Sequence, residues 1–151
     1  MKGDLIADMV ESKYDLIGHG VNCAGVMGAG FAKIVADRWP HVREAYRGYC
    51  NQWKPTPGNA QIVAVDGQYP HYFANLFTQD APGPNARLEW VEASLKTLEM
   101  LLNTTYPDLQ RIAFPALGSG IGGLEFGDVQ KIVVKVFGCS DLYVKLYRPM
   151  R

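Results

Sequence analysis

Val21-Asn22-Cys23-Ala24-Gly25-Val26-Met27-Gly28-Ala29-Gly30 follows an apolar, strand-like run from Tyr14 and leads directly into the amphipathic pattern Phe31-Ala32-Lys33-Ile34. A strand that gives way to small residues and then to a helix places backbone N–H groups, free of Cβ obstruction, at the positive end of a helix dipole. That is a seat for an anion. A second stretch of the same kind, Pro115-Ala116-Leu117-Gly118-Ser119-Gly120-Ile121-Gly122-Gly123, follows the run from Arg111 to Leu117. Glycines this dense cost conformational entropy on folding, which a merely connecting loop has little reason to bear. Two such loops on one chain suit a diphosphate held from both sides.

Outward from these loops, β-branched and aromatic runs recur at Ala60 to Val65, His71 to Phe77 and Leu142 to Tyr147. Between them lie helical patterns. The clearest spans Ala86 to Leu102, where Leu88, Val91, Leu95, Leu98 and Leu102 repeat at three- and four-residue steps and form one apolar stripe. A second covers Asp128 to Phe137, and Gly30 to Trp39 and Val42 to Gln52 read as two helices parted by Pro40. Asn51 to Gly58 and Gln79 to Asn85 read as loops. Alternation of strand and helix predicts a three-layer α/β/α sandwich around a central mixed, mostly parallel sheet, with ligands bound beyond the carboxyl ends of the strands.

The 151 residues fit a single domain. Fifteen basic and fifteen acidic residues cancel, so net charge gives no strong sign of nucleic acid or of an anionic membrane. No run of some 18 apolar residues occurs, and the first residues lack the apolar core of a signal peptide. Cys23, Cys50 and Cys139 are odd in number, widely spaced and without metal-ligand spacing to histidine. The expectation is a reduced, cytoplasmic monomer with no metal and no cofactor.

Asn22 ends its strand at the rim of the sheet, where its amide can meet a sugar hydroxyl or, equally in keeping with asparagine's habits, cap a turn. His19 can activate water or protonate a leaving oxygen, or it can pack as a hydrogen-bonded core residue; strict alternation sets it on the opposite face from Asn22 unless the strand ends between them. The first loop is not the dinucleotide fingerprint, since its spacing is G-x-x-G-x-G and no acidic residue closes a second strand at the right distance. Nor is it a Walker loop, because no Gly-Lys-Ser/Thr follows.

Gly3-Asp4-Leu5-Ile6, the segment His19 to Gly30 and the segment Phe114 to Leu124 together resemble the signature segments of the macrodomain family, in order and spacing and over essentially the whole chain. Within that family the chain most resembles the branch holding ADP-ribose-1''-phosphate phosphatases and the hydrolases that remove ADP-ribose from carboxylates or DNA bases. The resemblance implies ADP-ribose or ADP-ribose 1''-phosphate as ligand and hydrolysis of the terminal phosphate as activity. It implies that Asp4 accepts the adenine amino group beside the Leu5 N–H and that Asn22 serves the distal ribose. Val26, Met27, Gly28, Ala29 and Gly30 would clasp the diphosphate together with Leu117, Gly118, Ser119, Gly120, Ile121, Gly122 and Gly123. Tyr147 would stack on adenine. Asn22 and His19 are the candidate catalytic residues. One subgroup of hydrolases carries a lysine and an acid at positions that here read Gln79 and Gly122, and glutamine cannot form an imine with an opened ribose.

Overall fold

The computed structural model describes residues 2–67, 69–117 and 122–149. In chain order the elements are α1 (Lys2–Glu11), β1 (Leu16–Asn22), α2 (Gly30–Arg38), α3 (Pro40–Trp53), β2 (Ala60–Ala64), β3 (Tyr72–Gln79), α4 (Leu88–Thr104), β4 (Arg111–Phe114), α5 (Phe126–Phe137) and β5 (Tyr143–Leu146). The strands form one sheet in the order β2-β3-β1-β4-β5, with β2 antiparallel to β3 and the other pairs parallel. A mixed, mostly parallel sheet is therefore the centre of the sandwich.

Alternation along the strands divides the core in two. Ile17, Val21, Phe73 and Phe77 pack with Met9 of α1, Val35 of α2 and Val42 and Tyr46 of α3. Leu16, Leu76, Ile112 and Phe114 pack on the other face against the α4 stripe, Val91, Leu95, Leu98 and Leu102, and against Val129, Val133 and Phe137 of α5. A helical repeat of three and four residues meeting a sheet repeat of two is what allows both faces to be covered at once.

Several boundaries differ from the sequence expectation. The amino end forms a helix, α1, whose Ile6 and Met9 are buried. Helix α3 starts at Pro40, in the first-turn position where proline's missing N–H costs nothing, and continues through Trp53, so the following loop begins at Lys54 rather than Asn51. Helix α4 starts at Leu88 rather than Ala86, and α5 at Phe126 rather than Asp128.

From β1 the chain passes through α2 and α3 to the edge strand β2, returns along β3 beside β1, and crosses through α4 to β4 on the other side. The order of strands thus reverses about β1 and β4, and a crevice opens above their carboxyl ends. Both glycine loops emerge there.

Candidate functional site

A cleft of about 620 Å³ lies over this crevice. Its floor is formed by His19, Gly20, Val21 and Asn22 of β1 with Thr78 and Gln79 of β3; its sides are Val26, Gly28 to Ala32 and Ile34 from the first loop and α2, and Pro115, Ala116, Leu117 and Gly122 from the second. Leu5, Pro82, Gly83, Arg148 and Pro149 complete the rim.

The first loop is held open by Asn22. Its Oδ1 accepts from the Ala24 N–H at 2.9 Å and the Val26 N–H at 3.3 Å, while its Nδ2 donates to the Val26 carbonyl at 2.8 Å. The turn-capping habit and the position at the cleft floor therefore coincide in one residue. Ala29, the N-cap of α2, makes no side-chain hydrogen bond to the helix and the first turn holds no acidic residue. The amides at the start of α2 are left to a ligand. Gly30 has φ +61° and Gly25 φ +82°, a region that favours glycine.

His19 and Asn22 both reach the α2–α3 side, because the pairing of β1 with β3 shifts between Val21 and Asn22: Val21 faces Phe77, but Asn22 faces Gln79. Before that irregularity, His19, Asn75 and Gln61 sit side by side on three strands. Gln61 Nε2 donates to the Ala45 carbonyl, Asn75 Nδ2 donates to Gln61 Oε1 at 3.0 Å, and Asn75 Oδ1 thus remains to accept from His19 Nε2 at 2.8 Å. This relay fixes the tautomer, leaving His19 Nδ1 a bare acceptor with no partner among the described residues. Burial drives the His19 pKa down to about 4 against the opposing effect of its hydrogen bond to Asn75. At neutral pH the ring is an uncharged acceptor, with no proton on Nδ1 to give.

Gln79 Nε2 is turned into its own loop, donating to the carbonyls of Ala81 at 2.7 Å and Gly83 at 2.9 Å. The backbone of this loop ties to the glycine loops on either side. Cys23 N–H donates to the Gln79 and Asp80 carbonyls, and Ala86 N–H donates to the Gly122 carbonyl at 3.2 Å. Gly123 has φ +84° and lies against Pro84. Neither nearby thiol is a nucleophile at neutral pH: burial, and then Asp80, pushes Cys23 up to about 11, and burial raises Cys50 as well.

Of the residues expected to bind, Leu5, Asn22, Val26, Gly28, Ala29, Gly30, Leu117 and Gly122 line the cleft. Met27 instead turns inward and is buried in the core. Gly123 and Tyr147 are not among the lining residues: the Tyr147 ring meets Tyr14 edge-on and the two hydroxyls are 2.9 Å apart. Burial raises the Tyr147 phenol. The residues after it, Arg148 and Pro149, are the ones that reach the cleft, and the Arg148 guanidinium lies 5.1 Å over the Phe126 ring. Gly118, Ser119, Gly120, Ile121 and the side chain of Asp4 lie outside the described residues. Thr78, Gly20, Pro82, Gly83 and Arg148 are lining residues that the sequence reading did not name. The turn residues Pro82 and Gly83 carried a loop signal but no sign of facing a ligand.

Among the described residues no group of three or more histidines, cysteines and carboxylates could hold a metal ion, and no helix is long and apolar enough to cross a membrane.

Comparison with known proteins agrees with this geometry. A DNA ADP-ribosyl glycohydrolase of Mycobacterium tuberculosis is 29% identical over 146 residues, covering 94% of this chain but 40% of the relative's length. An ADP-ribose 1''-phosphate phosphatase of Lodderomyces elongisporus is 25% identical over 144 residues, covering 90% of each. The solved macrodomain of Mycobacterium tuberculosis DarG superimposes with a TM-score of 0.86 at 28% identity, covering 95% of this chain and 94% of that one. The Macro domain family pattern matches residues 19–133, from the histidine of β1 through most of α5, and the chain belongs to that family.

Proposed function

We propose that the cleft binds ADP-ribose 1''-phosphate and hydrolyses its terminal phosphate, releasing ADP-ribose and inorganic phosphate. The observation that carries this reading is the cleft at the carboxyl ends of the neighbouring parallel strands β1 and β4, lined by Val26 and Gly28 to Gly30 before the uncapped start of α2 and by Leu117 and Gly122 of the second glycine stretch. Two loops at one strand spacing suit a diphosphate, with adenine at the Leu5 and Arg148 end.

Water attacks phosphorus, the bond from phosphorus to the sugar oxygen breaks, and that oxygen takes up a proton to become the hydroxyl of ADP-ribose. Such a transfer is accelerated mainly by holding the groups in line and by donors aimed at oxygens that gain charge. Asn22 maintains the loop that supplies those donors. His19 serves as a fixed, neutral acceptor that orients a water or sugar hydroxyl, since burial removes its capacity to act as a cationic acid. Gln79, engaged with its own loop and unable to form an imine, favours this chemistry over covalent capture of the sugar.

A second reading, removal of ADP-ribose from a DNA base, is favoured by the 29% identity to the mycobacterial glycohydrolase across 94% of this chain. Incubation with ADP-ribose 1''-phosphate and, separately, with ADP-ribosylated single-stranded DNA distinguishes the two. Phosphate release that disappears in Asn22→Ala supports the first; release of ADP-ribose from DNA with no phosphate released supports the second. Tight binding of ADP-ribose with neither product would make the protein a binder alone.

A further inference from the structure

Strand β3 carries one residue more than β1 where the pairing shifts, and that residue is Thr78. An extra residue in one strand leaves the regular ladder and re-aims its side chain. Thr78 is 1% exposed, lines the cleft, and its Oγ1 has no hydrogen-bond partner among the described residues. Its surroundings are otherwise satisfied: its carbonyl accepts from the Arg87 N–H, and Gln79 beside it is used by Ala81 and Gly83. A buried hydroxyl without a partner is unfavourable, and on the wall of a cleft it is a group that a ligand can satisfy.

The sheet order decides which part of the ligand arrives there. Along the carboxyl ends of β3, β1, β4 and β5 the cleft crosses three strand spacings, about 14 Å. The described cleft-lining parts of the two glycine stretches, Val26 and Gly28 to Gly30 after β1 and Pro115 to Leu117 after β4, belong to the middle pair, where the reading above puts the diphosphate. Arg148 and Pro149 follow β5 and, with Leu5, offer a cation and apolar surface suited to a flat base. The opposite end, at β3, is left for the sugar beyond the diphosphate.

We propose that Thr78 reads the terminal sugar, its hydroxyl exchanging a hydrogen bond with a ribose hydroxyl and so favouring ADP-ribose over ADP. This rests on the ADP-ribose reading above. The test is calorimetric titration of the parent, Thr78→Val and Thr78→Ser with ADP-ribose and with ADP, alongside melting curves without ligand. Valine keeps the shape and puts a methyl group in place of the hydroxyl. Thr78→Val should bind ADP-ribose about tenfold more weakly, bind ADP as the parent does, and melt no lower than the parent; Thr78→Ser should keep the parent's preference. An unchanged preference in Thr78→Val overturns the assignment to Thr78 alone. A lower melting temperature for unliganded Thr78→Val, or failure of that variant to fold, overturns it also, by showing that the hydroxyl serves the protein itself. A parent that binds ADP but shows no added affinity for ADP-ribose sinks the sugar assignment, and one that binds neither sinks the ADP-ribose reading with it.

Discussion

The hydroxyl of Tyr46 lies 2.5 Å from the backbone carbonyl oxygen of Asn22 and 2.9 Å from its Oδ1, so a single hydrogen from α3 is shared by the two acceptors that end β1 and begin the first loop. Burial, with Cys50 nearby, raises this phenol well above its ordinary pKa, and it stays a donor throughout the working range. Helix α3 thereby fixes the loop from behind, without touching the cleft.

Tyr46→Phe should destabilise the fold by about 1–3 kcal/mol, because it strands buried acceptors while keeping the ring. Urea denaturation measures this. ADP-ribose affinity should fall as well, by about tenfold, as the loop loses its anchor. Unchanged affinity would mean that Asn22 holds the loop unaided.

The pH dependence of stability should carry the signature of His19. Its pKa falls from 6.5 in the unfolded chain to about 4 in the folded one, so the unfolded state takes up the proton first as pH drops. Stability from this group is therefore full above pH 6.5 and is lost as pH falls toward 4, by about 3 kcal/mol in all. Denaturation curves of the parent and His19→Gln between pH 4 and 7.5 should converge or cross on the acid side. Parallel curves would refute the burial argument.

Gly18 sits in the central strand where an added Cβ would lie 2.7 Å from Phe114 Cε1 and 2.9 Å from Cδ1. Phe114 is fully buried in β4 and has little room to yield. Gly18→Ala should cost about 1–3 kcal/mol in chemical denaturation. Since β1 and β4 carry the two glycine loops, ligand affinity should drop too.

Gly123→Ala acts differently. Its φ of +84° and the 3.2 Å that would separate an added Cβ from Pro84 Cβ concern the contact between Gly123 and the segment after β3, away from the core. ADP-ribose binding, followed by calorimetry, should weaken at least several-fold, with a melting temperature within a few degrees of the parent's.

Much of this was legible in the chain. The stripe from Leu88 to Leu102 and the strand ending at Asn22 follow from periodicity and β-branching, and the strand-to-glycine-to-helix transition located the cleft. The helix α1 was hidden because it is short and, among its described side chains, only Ile6 and Met9 are buried. Nothing local distinguishes Thr78 from any strand threonine, since its position depends on how β3 pairs with β1. The neutral state of His19 depends likewise on Asn75 and Gln61, brought alongside by the sheet. The resemblance pointed to Tyr147, yet its hydroxyl meets Tyr14 and the next residue, Arg148, is the one that lines the cleft.

The Asn22 turn closes entirely on the chain's own groups, through its bonds to Ala24 and Val26. A nucleotide therefore meets a seat whose shape was settled during folding, and little further ordering of the first loop opposes its arrival. Association should be governed by encounter rather than rearrangement, with a single fast phase in stopped-flow mixing and no slow isomerisation behind it.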